Sequence, residues 1–394
     1  MRDSSYYTTL TMKTLNFLFF LLITISCNVS QENKFIQATT YSSLHVPVNT
    51  SFSPDRTRTQ YINSDSGEYL AILNKIGPAI EIYNIESKKL AKRIKLNQDG
   101  PNRIGLDNGF YLMAPDSLYL ASIPPKVLIL NFQGEVLKKI PVSPEQNGVN
   151  FLTSNNELPF LFDDQFLYGA QPFFQNIFQM KENDLKTTKH LYKINLKDQK
   201  NATEWLEVFR PSDSWENGKK DGNFSWTDRY DSILVAPYTD HRIWLISKKK
   251  GELIDYFNLK SNSFNEFRLV GESVPVGDLG IIEDLEKGRY EIILHDNYRD
   301  VFYRFFFPGV NWEETGLTPR DLFSNRSKIG IMVIDPNLNI LGEHVFEKNR
   351  FQMWNYFVGK KGLYVSTNNP NRDDFDENYL RYDIIRFEGL EYDE

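Results

Sequence analysis

Sulfur chemistry is nearly missing from this chain: it has one cysteine, Cys27, in 394 residues. No disulfide can form within it, and no cysteine-based zinc site can be assembled. Long hydrophobic runs are missing too. The most apolar stretch, Phe17 to Ile25, would rise only ~14 Å as a helix, whereas a bilayer core takes about 20 residues. There is no excess of positive charge. The 45 Lys and Arg against 52 Asp and Glu leave a formal charge of −7, mixed along the chain, which excludes the basic face of a nucleic-acid binder. Histidine is scarce: His45, His190, His241, His295 and His344 are not paired at the spacing of a zinc helix, so no metal site is expected from them. No Gly-x-Ser-x-Gly elbow, P-loop or Rossmann glycine pattern occurs. No Pro/Gly/Ser linker or block of like charge divides the chain. With these absent, nothing points to a particular reaction.

What is present begins with the place of the cysteine. Lys13, the run Phe17 to Ile25, Ser26 and then Cys27 make a basic start, a short apolar core and a small residue before a cleavage point. This resembles a bacterial lipoprotein signal. The resemblance implies cleavage before Cys27 and diacylation of its thiol, hence an anchor to a membrane of the cell envelope, on the periplasmic side or the outer surface. Residues 1–26 then read as signal peptide, with Met12 a candidate true start because residues 1–11 are polar and carry Asp3. Residues 27–40 read as a lipid-anchored tether and 41–394 as a single domain.

That domain repeats a hairpin about six times. An apolar strand ends in a turn rich in Asn, Asp, Lys or Gly, and a second strand follows. The copies start at Ala79, Val127, His190, Arg242, Ile329 and Leu380. A second hairpin with a tight polar turn precedes each, at Ser64–Gly67, Pro115-Asp116, Asp163-Asp164, Arg229–Asp231, Asp296–Arg299 and Lys360–Gly362. Gly, Asp and Asn belong there because such turns need positive φ or side-chain-to-backbone bonds. Two hairpins make a four-stranded antiparallel meander. Six of these around an axis predict an all-β, six-bladed β-propeller, which protects most sheet edges by repetition. The last copy lacks its outer strand, since the chain ends. The alternating segment Tyr41 to Val48 is expected to supply it and close the ring from the N-terminus.

The lipoprotein signal, the chain length, the loop Gly100-Pro101-Asn102-Arg103-Ile104-Gly105 and the stretch Leu294–Phe305 (LHDNYRDVFYRF) resemble an uncharacterised family of Bacteroidota lipoproteins with a six-bladed, NHL/TolB-like propeller. The family is a domain of unknown function, so the resemblance implies fold and address and brings no catalytic residue.

In such a fold the tight turns share one face, and the longer loops, within and between blades, share the other. Function is expected on the loop face. Its candidate ligand-binding residues are Arg103, Trp226, Asp240, His241, Arg242, Trp312, Asn368 and Arg372, with Trp215, Arg320 and Asn369 nearby, because Trp and Arg dominate binding hot spots. Each also has a plain structural reading, as a blade cap or a surface ion pair. Asp373, Asp374 and Asp376 have the oxygen density that can hold Ca²⁺ but lack the EF-hand pattern, so a solvated acidic loop is expected. Asp116-Ser117-Leu118 and Asp231-Ser232-Ile233 resemble the acceptor motif for O-glycosylation of exported Bacteroidota proteins. The reading favours a monomeric, non-enzymatic binding module for a protein, peptide or glycan. An envelope hydrolase or lyase at the channel mouth and a structural part of an envelope complex are the alternatives.

Overall fold

The protein is described by a computed structural model over residues 35–113, 116–142, 152–171, 176–198 and 203–392. Cys27, the signal peptide and Pro115 lie outside the described residues. Among the described residues no helix is long and apolar enough to cross a membrane.

Six four-stranded antiparallel sheets form the blades of a propeller. From the axis outward, blade 1 is Pro54–Ser64, Gly67–Asn74, Ala79–Asn84 and Lys89–Lys95, and blade 2 is Leu106–Met113, Ser117–Ile123, Lys126–Asn131 and Val136–Pro141. Blade 3 is Leu161–Phe162, Phe166–Ala170, Leu191–Asn195 and Thr203–Trp205, and blade 4 is Phe224–Arg229, Ser232–Pro237, Arg242–Ser247 and Glu252–Asn258. Blade 5 is Arg289–Asp296, Val301–Phe307, Gly330–Ile334 and Ile340–Val345. Blade 6 is Tyr356–Gly359, Gly362–Ser366 and Tyr379–Phe387, with Ala38–Pro47 as its outer strand.

The middle strands are near-continuous apolar runs because both of their faces are covered. All of Val301–Phe307 (VFYRFFF) is buried, while the outer strand Lys89–Lys95 (KLAKRIK) buries only Ile94. Alternation sends successive residues to opposite neighbours. On the second strand of blade 4, Ile233 and Val235 pack towards blade 3, and Leu234 and Ala236 towards blade 5. The turns are fixed by short polar side chains. The Asp163 carboxylate accepts from the backbone N–H of Gln165 and Phe166 at 2.8 and 2.7 Å, and Asp296 does the same for Tyr298 and Arg299 at 3.1 Å.

Ring closure follows the expectation. Ala38–Pro47 pairs antiparallel with the last strand, Ala38 opposite Phe387 and Pro47 opposite Tyr379. Leu44 and Val46 turn into the core between blades 6 and 1. The folded chain starts earlier than residue 41. The Ile36 N–H donates to Glu343 O at 3.3 Å, and the Phe35 ring lies 5.3 Å from that of His344, so residues 35–40 belong to the ring rather than to a tether.

Candidate functional site

The channel along the propeller axis is not open. Blade 3 has an innermost strand of only two residues, Leu161–Phe162, and the segment before it crosses the axis instead. Ser154 exchanges backbone hydrogen bonds with Asn108 and Phe110 of blade 2 at 3.2 and 3.0 Å. The Asn156 N–H donates to Thr57 O of blade 1 at 2.8 Å, and its side-chain amide donates to Trp354 O beside blade 6 at 3.1 Å. Glu157 O accepts from the Trp226 N–H of blade 4 at 3.0 Å and from Ser225 Oγ at 2.8 Å. Residues 152–159 are thus a plug tied to four blades. Gly109 makes room for it: its φ is +115°, and a Cβ there would stand 1.9 Å from Ser154 O.

On the turn side of the plug lies a cavity of about 520 Å³. Its wall comes from the innermost strands of blades 1, 2, 4, 5 and 6, the turn after the blade 5 strand and the plug, and among the described residues it contains no Asp, Glu, Lys or Arg. Tyr61 is the rigid part. Its ring stacks on Phe357 at 5.9 Å and meets Tyr298 edge-on at 6.4 Å, and its hydroxyl donates to Glu68 at 2.6 Å. His295 Nε2 lies 3.8 Å from the Asp300 carboxylate. Burial lowers the pKa of His295, which keeps its ring neutral near pH 7. Asn63 and Asn297 stand exposed at the mouth.

The loop side of the plug is charged. Glu291 is buried, accepting from Arg289 Nη2 at 2.6 Å and from Trp354 Nε1 at 2.8 Å. Arg289 also reaches Asp284 at 3.2 Å, and Arg326 completes the chain on Asp284. Glu157 joins this group. Burial, with the Glu291 charge added, pushes its carboxyl up to about 7. The folded state therefore holds a proton there that the unfolded chain releases near pH 4.5, so stability falls as pH rises from about 4.5 to about 7. Glu157→Gln mimics the protonated form. It is expected to stabilise the chain by about 3 kcal/mol at pH 8 and not at pH 4, read from urea midpoints across that range. Equal gains at both pH values would mean that Glu157 is an ordinary carboxylate.

The structure disperses the residues singled out from sequence. Arg103 is exposed in the loop between blades 1 and 2. Trp226 is not in a loop: it sits on the innermost strand of blade 4, fully buried, its indole donating to Pro159 O at 2.9 Å, so it belongs to the core between blades 3 and 4. Arg242 forms ion pairs with Asp240 at 2.8 Å and Asp213 at 2.9 Å, which engage both partners. His241 Nδ1 lies 2.8 Å from the Tyr290 hydroxyl, and burial plus the Arg304 guanidinium push its pKa down to about 4. Arg304 is itself buried, donating to Pro237, Asp240, His241 and Leu259 carbonyls and so strapping blade 5 to blade 4.

Trp312 is half-buried in a 3-10 turn of the blade 5 loop. Trp215 donates to Lys220 O, Arg320 pairs with Asp278, and buried Asn369 donates to Phe351 O. Asn368 donates to Tyr379 O at 2.6 Å and lines a loop-face groove of about 400 Å³ between blades 6 and 1. Arg372 pairs with Asp374, which Arg381 also holds at 2.6 Å, and Asp376 accepts from Asn378. These bonds occupy two of the three carboxylates considered for Ca²⁺, and Asp373 is exposed. Among the described residues no group of three or more His, Cys, Asp or Glu is placed to hold a metal. Ser117 and Ser232 each open the second strand of a blade, on the turn face.

The cavity wall was not anticipated, because it opens on the turn face. The available signal is polar residues within the innermost strands, such as Thr59, Gln60 and Asn63 of blade 1 and Thr227 beside core Trp226.

The family model described as a domain of unknown function, DUF4221, matches residues 36–345. Among solved structures, the chain is similar to a member of that family from Bacteroides vulgatus, at 22% identity and TM-score 0.77, covering 90% of this chain and 99% of that one. It is also similar to a putative exported protein from Bacteroides fragilis, at 10% identity and TM-score 0.49, covering 90% and 96%. No curated protein matches.

Proposed function

The chain belongs to the DUF4221 family, a domain of unknown function, and on that premise we propose that it is a lipid-anchored envelope protein that binds a small uncharged ligand in its turn-face cavity without converting it. The cavity carries this reading. Its volume falls in the ~300–1,000 Å³ range of small-ligand sites. It is walled by strands of five blades, and its Asn63, Asn297 and Thr227 side chains are polar groups that a ligand can engage. This moves the proposed site from the loop face, where Arg242 and Arg372 are engaged in ion pairs, to the opposite face. Native mass spectrometry of the detergent-released chain after incubation with uncharged metabolites tests it. Recovery of the ligand unchanged supports a binding module, and conversion replaces it with an enzyme.

The envelope hydrolase or lyase has one observation in its favour, the Glu157–Glu291 pair with its retained proton. Neither residue lines the turn-face cavity, and both Glu291 oxygens are already engaged.

The anchor rests on Ser26-Cys27 after the apolar run. An alkynyl palmitate fed to cells is expected to label the chain, and Cys27→Ser to abolish the label and release the protein from the membrane fraction. Label surviving in the variant would refute acylation at Cys27. The membrane through Cys27 and a soluble ligand are the proposed partners, with the chain monomeric and without nucleic acid.

A further inference from the structure

We infer that the ligand of the turn-face cavity is an uncharged pyranose sugar, packed against the rings of Tyr61 and Tyr298 and hydrogen-bonded through Asn63, Asn297 and Thr227. This rests on the cavity being the binding site.

Charge comes first. With no Asp, Glu, Lys or Arg in the wall, an ionic ligand would give up its hydration without gaining a counter-ion. The nearby charges are engaged elsewhere. Asp228 pairs with Lys248, Glu68 holds the Tyr61 hydroxyl, and Asp300 holds that of Tyr230.

The second argument is the kind of polar group. Asn63, Asn297 and Thr227 can each both donate and accept, and none makes a side-chain hydrogen bond within the described residues. A wall of two-way groups does not read a fixed donor–acceptor pattern, as a base edge or peptide backbone presents. It suits hydroxyls, each of which is donor and acceptor at once.

The third is the ring wall. Tyr61 is locked by two aromatic neighbours and by its bond to Glu68, so the ring atoms that it and Tyr298 present to the cavity are held in place at little entropic cost. A pyranose has one face of C–H bonds and a rim of hydroxyls, which matches an aromatic wall beside amides and hydroxyls. The approximately 520 Å³ accommodates a monosaccharide with room for a second ring at the mouth.

The test is saturation-transfer NMR on the full chain in detergent. The probes are methyl glycosides of glucose, galactose, mannose and xylose, N-acetylglucosamine, and the disaccharides cellobiose and maltose. Glucuronate serves as the charged analogue, and uridine and N-acetyl-leucinamide as uncharged non-sugars. At least one neutral sugar is expected to bind, and glucuronate to bind about tenfold more weakly or worse. The double variant Asn63→Ala, Asn297→Ala changes only exposed mouth residues and is expected to weaken that sugar about tenfold. Binding of uridine or N-acetyl-leucinamide alone, with the same sensitivity to the variant, would overturn the sugar and leave the cavity as the site. Sugar binding that the variant does not change would overturn the cavity itself. Silence from every sugar overturns the inference.

Discussion

A Gly109→Ala chain is expected to be among the least stable single variants of this protein, losing more than about 3 kcal/mol. Two costs add. A side chain at a φ of +115° is strained, at about 1–2 kcal/mol. The new Cβ would also overlap Ser154 O, which is backbone and cannot rotate away, so the plug must move. Moving it breaks the pairing of Ser154 with Asn108 and Phe110 and draws on the bonds to Thr57, Trp354 and Trp226 further along. Each buried group left unpaired costs about 1–3 kcal/mol. Hydrogen exchange locates the damage. The amides of Phe110, Asn156 and Trp226 are expected to lose protection first, while those of blade 5, such as Phe305, keep theirs. Unchanged exchange at these three amides would remove the plug from the account of stability.

The second large effect is expected from removing the closing strand. A chain that keeps its signal and residues 27–34 but lacks residues 35–48 exposes the backbone edge of Tyr379–Phe387 and loses the buried side chains Leu44 and Val46. Burial of two such side chains is worth about 3–6 kcal/mol before the ladder is counted, against a total stability of about 5–15 kcal/mol. The truncated chain is expected to unfold below growth temperature or to associate through the bare edge. A synthetic peptide of residues 35–48, added in excess, should restore a cooperative transition, because it can refill the same groove. A truncated chain with an unchanged unfolding midpoint would mean that the ring closes by other contacts.

Legibility in the sequence divides by environment. The middle strands could be read because a strand covered on both faces is written as an unbroken apolar run, such as Val301–Phe307. The closing strand could be read by counting: the sixth meander ended one strand short. The plug could not. Thr153, Ser154, Asn155 and Asn156 look like a solvated loop, yet three of them are buried, their polar groups satisfied by the backbone of other blades. Trp226 was obscured by polar neighbours that resemble a loop. Arg242 looked available because its partner Asp213 is 29 residues away in the chain, a pairing that no local pattern announces. The site was sought among loops because loops vary and carry chemistry. The axial wall lies in regular strands, where polar residues sit among core residues and only the three-dimensional ring brings them together.

The strand that completes the ring is the first part of the domain to be synthesised, and it waits for the last. Ser43 hydrogen-bonds Asp383, 340 residues later. Joining ends that far apart costs about 5 kcal/mol of chain entropy if nothing between them has folded, and far less once five blades stand in order. Closure is therefore a late event, and contacts this distant are the kind that slow folding. Until the C-terminal strand arrives, the chain is an open arc with two unsealed edges. That timing means that the ring cannot lock before its final residues have been made. It also makes the last strand the step that commits the whole domain, so a nonsense mutation a few residues before Tyr379 removes the latch rather than the tail.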